Sequence, residues 1–306
     1  MAGSNSNSPG LNGIEKRFFE LSQKRLEKFA SLFPRVLIRD DPETIHDVRV
    51  WSRRLQQILR ILFPKPASKK SRKLVRTLRR VRRALGNCRN LDVMTDLIQE
   101  KIAAAGNPVV RDAWDRLKLH IQERRKRELA RTRDELSRYD IVDFVNRTQA
   151  LLFSVASSDN SEANLSTSIA RAVKDWNEAI DNTRQRLEPD KIHALRIAGK
   201  RLRYRIELLA ELGDKEAKAR TKALKALQDH LGEWHDRHML LEIARKFLGR
   251  KDFLANYPDL GRALLVEMER ERRRNDAAVN NMLKTAQKIR DSWVAAESVA
   301  PQESSS

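Results

Sequence analysis

Apolar residues recur at three- and four-residue spacing along almost the whole chain, and strand-like alternation is absent. The pattern predicts helices over about 11–33, 44–63, 69–87, 90–105 and 109–138, then 166–187, 190–212, 215–231, 235–248 and 259–295. The expected fold class is all-α, with about ten helices. Pro34, Pro64, Pro66, Pro108 and Pro258 fall between these segments, where a fixed φ and a missing N–H do no harm. The polar run from Ser157 to Ser161 reads as a linker between halves at about 11–150 and 165–295, with frayed ends at about 1–10 and 297–306.

The segment from Ile45 to Leu55 returns in altered form from Ile192 to Leu202, which predicts an internal duplication and two related helical bundles. Thr44 with Asp47 makes a capping-box-like helix start, and Asp190 takes the capping role in the second copy. At about 100° per residue, His46, Arg49, Arg53, Gln57 and Arg60 share one stripe, opposite Val48, Trp51, Leu55, Leu59 and Leu62. His193, Arg196, Lys200, Arg203 and Tyr204 repeat the stripe opposite Leu195, Leu202, Ile206 and Leu209. The repeat extends further: Leu85-Gly86-Asn87-Cys88-Arg89-Asn90 matches Leu231-Gly232-Glu233-Trp234-His235-Asp236. Upstream lie Arg72, Arg76, Arg79 and Arg83 in one copy and Lys218, Lys222, Lys225 and Asp229 in the other. A weaker pairing of Glu123-Arg124-Arg125-Lys126 with Glu271-Arg272-Arg273-Arg274 adds four more candidate arginines.

Charge gives these stripes a meaning. With 62 Lys and Arg against 42 Asp and Glu, the formal charge is +20 and the sequence pI about 10.4, which predicts a polyanionic partner. Residues 46–90 hold 15 Lys and Arg against Asp47 alone, whereas 193–236 hold 10 against 7 acids, so the first copy should dominate anion affinity. Charge runs are ordinarily solvated helix faces, but those mix signs to gain i,i+4 pairs, and a ratio of 15 to 1 does not. Arginine also offers a planar fork suited to two phosphate oxygens. A histidine in the first helical turn, as at His46 and His193, is expected to stay neutral until an anion arrives. Glu207 is expected to orient Arg203 or Lys200 rather than act as a base.

The lone Cys88 excludes an intramolecular disulfide and suits a reducing compartment. No run approaches the roughly 20 apolar residues that span a bilayer, and the start lacks an apolar signal core. These features lead to an expectation of a soluble, cytoplasmic protein without membrane insertion.

At the duplicated stripes the chain resembles the CHAD family, the conserved histidine α-helical domain, over about 11–295. The first signature stands as His46, Arg49, Val50, Arg53, Arg54 and Leu55; the second as His193, Leu195, Arg196, Lys200, Arg201, Leu202, Arg203, Tyr204 and Glu207. A third element stands as Leu85, Gly86, Arg89, Asn90, Asp92 and Val93, with Asn90 departing from the usual Asp. The resemblance implies two helical bundles related by pseudo-twofold symmetry, whose basic faces line a cleft that binds inorganic polyphosphate without turnover, often at polyphosphate granules. It implies no metal and no cofactor. The expected contacts are His46, Arg49, Arg53, Arg54, Arg60, Arg72, Arg76, Arg79, Arg83, Arg89, Arg124 and Arg125, with His193, Arg196, Lys200, Arg203, Tyr204, Lys222, Lys225, Arg272 and Arg273 in the second half.

Two other classes remain open from the residues themselves. A basic groove holds any phosphate backbone, so nucleic acid is a secondary partner, although no zinc-finger spacing or recognition module is present. The dipeptides His46-Asp47 and His235-Asp236 are of the kind found in helical metal-dependent phosphohydrolases, but the first loses its Asp to Ala194 in the other copy.

Overall fold

The computed structural model describes residues 13–64, 68–154 and 160–299. Pro66, most of the expected linker and the expected frayed ends, apart from residues 297–299, lie outside them. The described elements are α1 (Gly13–Ile38), α2 (Pro42–Leu62), α3 (Lys69–Ala104), α4 (Pro108–Ser137), α5 (Ile141–Phe153), α6 (Ser161–Gln185), α7 (Pro189–Glu211), α8 (Lys215–Leu248), α9 (Lys251–Asn256) and α10 (Pro258–Val299). Among the described residues every regular element is a helix, as the periodicity predicts. None is long and apolar enough to cross a membrane.

The ten helices are not the ten expected. Segments 69–87 and 90–105 form the single helix α3, and 215–231 and 235–248 form α8. Gly86 and Gly232 stand close to the expected breaks, yet a glycine inside a helix costs only about 1 kcal/mol. The buried stripe Leu74, Leu78, Val81, Leu85, Cys88, Leu91, Met94 and Ile98 runs straight through Gly86 and outweighs it. In exchange, α5 and α9 were not foreseen. Helix α5 is capped by Asp140, which accepts from the Asp143 N–H at 2.9 Å, and buries Phe144, Thr148 and Leu152 at four-residue spacing. Pro34 lies inside α1 rather than beyond it, and α10 continues to Val299.

The caps also differ from expectation. Asp41, not Thr44, caps α2: its carboxylate accepts from the N–H groups of Glu43 and Thr44 at 3.1 and 3.2 Å, and Pro42 opens the helix. At α7 the cap position is Glu188, without a side-chain cap bond, and Pro189 follows. His46 and His193 therefore sit at the same place, four residues after the opening proline.

The chain divides into two compact units, one of residues 1–99 with 118–168 and one of residues 100–117 with 169–306. This differs from a simple cut at the linker. Residues 100–117 join the second unit because Trp114 is fully buried, Lys101 pairs with buried Glu271 at 2.7 Å, and Arg116 lies 3.6 Å over the Tyr257 ring. In the first unit, Phe29 of α1 meets Phe144 of α5 edge-on at 5.6 Å, and the apolar face of α2 closes the core with Ile45, Val48, Leu55 and Ile58. In the second, Trp176, Leu195, Leu202, Leu227, Leu231 and Trp234 form the core. There α7 approaches so closely that a Cβ on Gly199 would lie 2.5 Å from Gln228 and 2.6 Å from Trp176.

Candidate anion-binding faces

In the first unit the polar stripe of α2 lies along α3, and the contacts are specific. Arg49 donates from Nη1 to the Arg82 carbonyl at 2.5 Å, crossing α3 where Gly86 leaves room; a Cβ there would sit 3.3 Å from that nitrogen. Buried Gln56 donates to the Val75 carbonyl at 3.0 Å and accepts from Arg82 at 2.7 Å. His46 is half-buried at the head of this face, and burial followed by the Arg89 charge holds its imidazole below the ordinary value. His46, Arg49, Arg82 and Arg89 are thus neighbours, with half-buried Arg53 further along α2.

The α3 stripe expected to join them does so only in part. Arg72 and Arg76, with Lys69, Lys73 and Arg80, line a groove of about 680 Å³ against Arg138, Asp140, Asp143 and Arg147 of the α4–α5 corner. Arg79 and Arg83 are exposed between the two faces, and neither is in an ion pair. Arg82, Gly86 and Arg89, at i, i+4 and i+7, form the α3 side of the contact with Arg49 and His46. Arg82 was absent from the expected set although that spacing was there to be read.

In the second unit α7 supplies His193, Arg196 and Lys200, and α8 brings His235 against them, with the two imidazole centroids 5.2 Å apart. His235 occupies the sequence position that corresponds to Arg89, so the matched motifs place an equivalent pair in each unit: His46 near Arg89, His193 against His235. Burial, then Arg196, lowers the His193 value; burial, then Arg196 and His193, pushes His235 down to about 3. His238 packs parallel to Trp234 at 5.3 Å. Sequence reasoning considered His235 only as a metal ligand. Its match to Arg89 was the overlooked signal.

Several expected contacts have other occupations. Arg125 bridges buried Asp92 and Asp40, at 2.6 Å to the latter, and the Asp40 hydrogen bond holds it more firmly protonated. Its own bond lowers Asp40, while burial outweighs it and raises Asp92. Arg125 thereby ties α4 to α3 and to the α1–α2 connection. Arg272 pairs with Glu269 and Asp276 at 2.8 and 2.9 Å, and Arg273 with Glu269 at 2.9 Å; together they pull the Glu269 carboxyl down to about 2. The weak repeat that proposed these residues does not hold its faces, since Glu271 is buried and Glu123 exposed. Tyr204 is 7% exposed and belongs to the core, with the Arg203 guanidinium 4.3 Å from its ring. Arg203 Nη1 lies 3.8 Å from the Glu207 carboxylate, within ion-pair distance. Arg54 lies 5.0 Å over the Trp51 ring, while Arg60, Arg124, Lys222 and Lys225 are exposed. Among the described residues, no three His, Cys, Asp or Glu side chains converge as a metal set would.

No curated protein matches the sequence. Among solved structures, the crystal structure of the CHAD domain from the plant Ricinus communis is similar over 90% of this chain and 92% of its own, with a TM-score of 0.64 at 20% sequence identity. That likeness concerns the fold. The sequence profile of the CHAD domain matches residues 20–245, most of both units and all the motif histidines and arginines described above. The chain belongs to the CHAD domain family.

Proposed function

We propose that this protein binds inorganic polyphosphate along the cationic faces of α2–α3 and α7–α8, as a binding module without turnover. The observation that carries the reading is the placing of the motif histidines among cations, with Arg49 and Arg89 around His46 and with Arg196 and Lys200 around His193 and His235. Burial is the first cause that lowers each imidazole, and these cations lower it further through a local positive field. Such a field is a standing cost in the unliganded protein and falls when an anion enters. Between Asp47 and Asp92 the chain has no acidic residue at all, so the arginines of α3 from Arg72 to Arg83 have no acid at i,i+3 or i,i+4 to neutralise them, as those of α10 do.

A linear polyanion suits this surface better than a compact one, because the cations are spread along helices rather than gathered at a point. The same field opposes a divalent metal and so disfavours metal-assisted hydrolysis. Nucleic acid shares the phosphate backbone and is the rival ligand. Titration with polyphosphates of defined length, beside a DNA control at several salt concentrations, tests the reading. Affinity should rise with chain length until the face is filled, pyrophosphate should bind poorly, and polyphosphate should displace DNA at equal phosphate concentration. Displacement in the opposite order overturns the ligand assignment. Recruitment to polyphosphate granules is the localisation this reading proposes.

A further inference from the structure

The second unit holds a feature that the first lacks. Where α3 of the first unit sets a permanent cation, Arg89, near His46, α8 sets an imidazole, His235, against His193. His235 is half-buried, and its Nδ1 is buried without a hydrogen-bond partner. An unsatisfied buried ring nitrogen is costly and calls for an explanation. The ring is surrounded by Arg196 and Lys200 of α7 and by two further imidazoles, His193 of α7 and His238 of α8. Asp190, near His193, acts on the cluster from the acidic side, and Asp236 follows His235 in the chain.

We propose that a phosphate group bridges the edges of His193 and His235, each imidazole donating to it, and that this second-unit site takes up a proton from solvent as it fills. The inference rests on the polyphosphate reading above and adds a contact residue and a dependence on pH. Two imidazoles 5.2 Å apart can both reach the oxygens of one phosphate. A neutral His235 offers one N–H, which either ring nitrogen can carry, whereas the imidazolium donates from Nε2 whatever the state of the buried Nδ1. The bound anion adds opposite charge beside the ring, and this raises the imidazole back toward its ordinary value. Since His235 stands near 3 in the free protein, it is neutral across the physiological range and the proton must be acquired on binding. Each linked proton strengthens binding by about tenfold per pH unit as pH falls between the bound and free midpoints. The first unit has its fixed charge at the matching position and is not gated there.

Calorimetry on the full chain with a long polyphosphate, whose chain-end groups are too few to buffer, measures the uptake directly in two buffers of different ionisation heat. The wild type should absorb protons at about pH 5, between the free and bound midpoints, and few above neutrality. His235→Arg, which installs the first unit's permanent charge, should reduce the uptake, flatten the pH profile and bind more tightly above neutrality. In parallel, the carbon-bound imidazole proton of His235 should shift to its protonated position when polyphosphate is added. Unchanged uptake in His235→Arg, or an imidazole signal that stays neutral in the complex, overturns the inference. If the arginine variant does not fold, His235→Gln and the wild-type imidazole signal decide the matter alone. Absence of polyphosphate binding at every pH refutes the parent reading, whereas binding without proton uptake refutes only this one.

Discussion

Two pairs of exposed arginines provide an internal control for the site. Arg79 and Arg83 of α3 stand in a stretch without acidic neighbours, whereas Arg272 and Arg273 of α10 are tied to Glu269 and Asp276. Replacing either pair with glutamine lowers the formal charge of +20 by two and keeps good helix formers in place. Any loss caused by overall charge is therefore the same in both. At about 4 Å in near-water surroundings an arginine–phosphate contact is worth about 1 kcal/mol, and a Debye length of about 8 Å trims this little. Two contacts give about 2 kcal/mol, or roughly 30-fold in affinity. Arg79→Gln with Arg83→Gln should weaken polyphosphate binding by that amount. It should also lower the slope of log affinity against log salt by roughly 1 to 2. Arg272→Gln with Arg273→Gln should change affinity by less than about threefold, since those guanidiniums already have counter-charge. Fluorescence anisotropy with labelled polyphosphate across a salt series measures both quantities. Equal losses in the two variants, or none in the first, would refute the division of the arginines into ligand-facing and internally paired sets. Arg49 is a poorer probe, because its hydrogen bond to the Arg82 carbonyl makes it structural as well.

Arg125→Ala should destabilise the first unit by about 3 kcal/mol, because it leaves the Asp92 carboxylate buried without its partner. For a unit of about 150 residues this lowers the melting midpoint by roughly 6–12 °C, and polyphosphate affinity measured below the transition should hold. Gly199→Ala should cost about 1–3 kcal/mol through the clash with buried Trp176 and Gln228. Gly232→Ala meets nothing within 4 Å and should instead stabilise by up to about 1 kcal/mol; chemical denaturation compares the two. His235 has a folded value of about 3 against an ordinary 6.5, so the stability it contributes is complete above about pH 6.5 and is lost as pH falls toward 3. Thermal melts over that range should show a steeper acid loss in the wild type than in His235→Gln, and added polyphosphate should restore part of it.

Local pattern made the helices and the two histidine stripes legible, because amphipathic periodicity and a repeated motif are written residue by residue. The same locality explains the errors. Gly86 and Gly232 stand close to the expected breaks, and only the apolar stripe passing through them shows that the helix continues. Thr44 looks like a cap until Asp41 and Pro42 are seen to begin the helix one turn earlier. Arg125 and Arg83 look alike in sequence, but the partner of Arg125 lies 85 residues away at Asp40 and that pairing is a long-range fact.

By itself the sequence determined an all-α chain, an excess of positive charge concentrated on a few helix faces, and two matching motifs headed by His46 and His193. These depend on composition and on a helical period of 3.6 residues, both of which are local. The tertiary structure decided which of those charges remain facing solvent and which are consumed in holding helices together. It turned Arg125 inward to two aspartates, moved the α2 contact of α3 from Arg72 and Arg76 to Arg82 and Arg89, and set His235 beside His193. The reason is that charge compensation and imidazole protonation depend on distance in space, which sequence separation does not give.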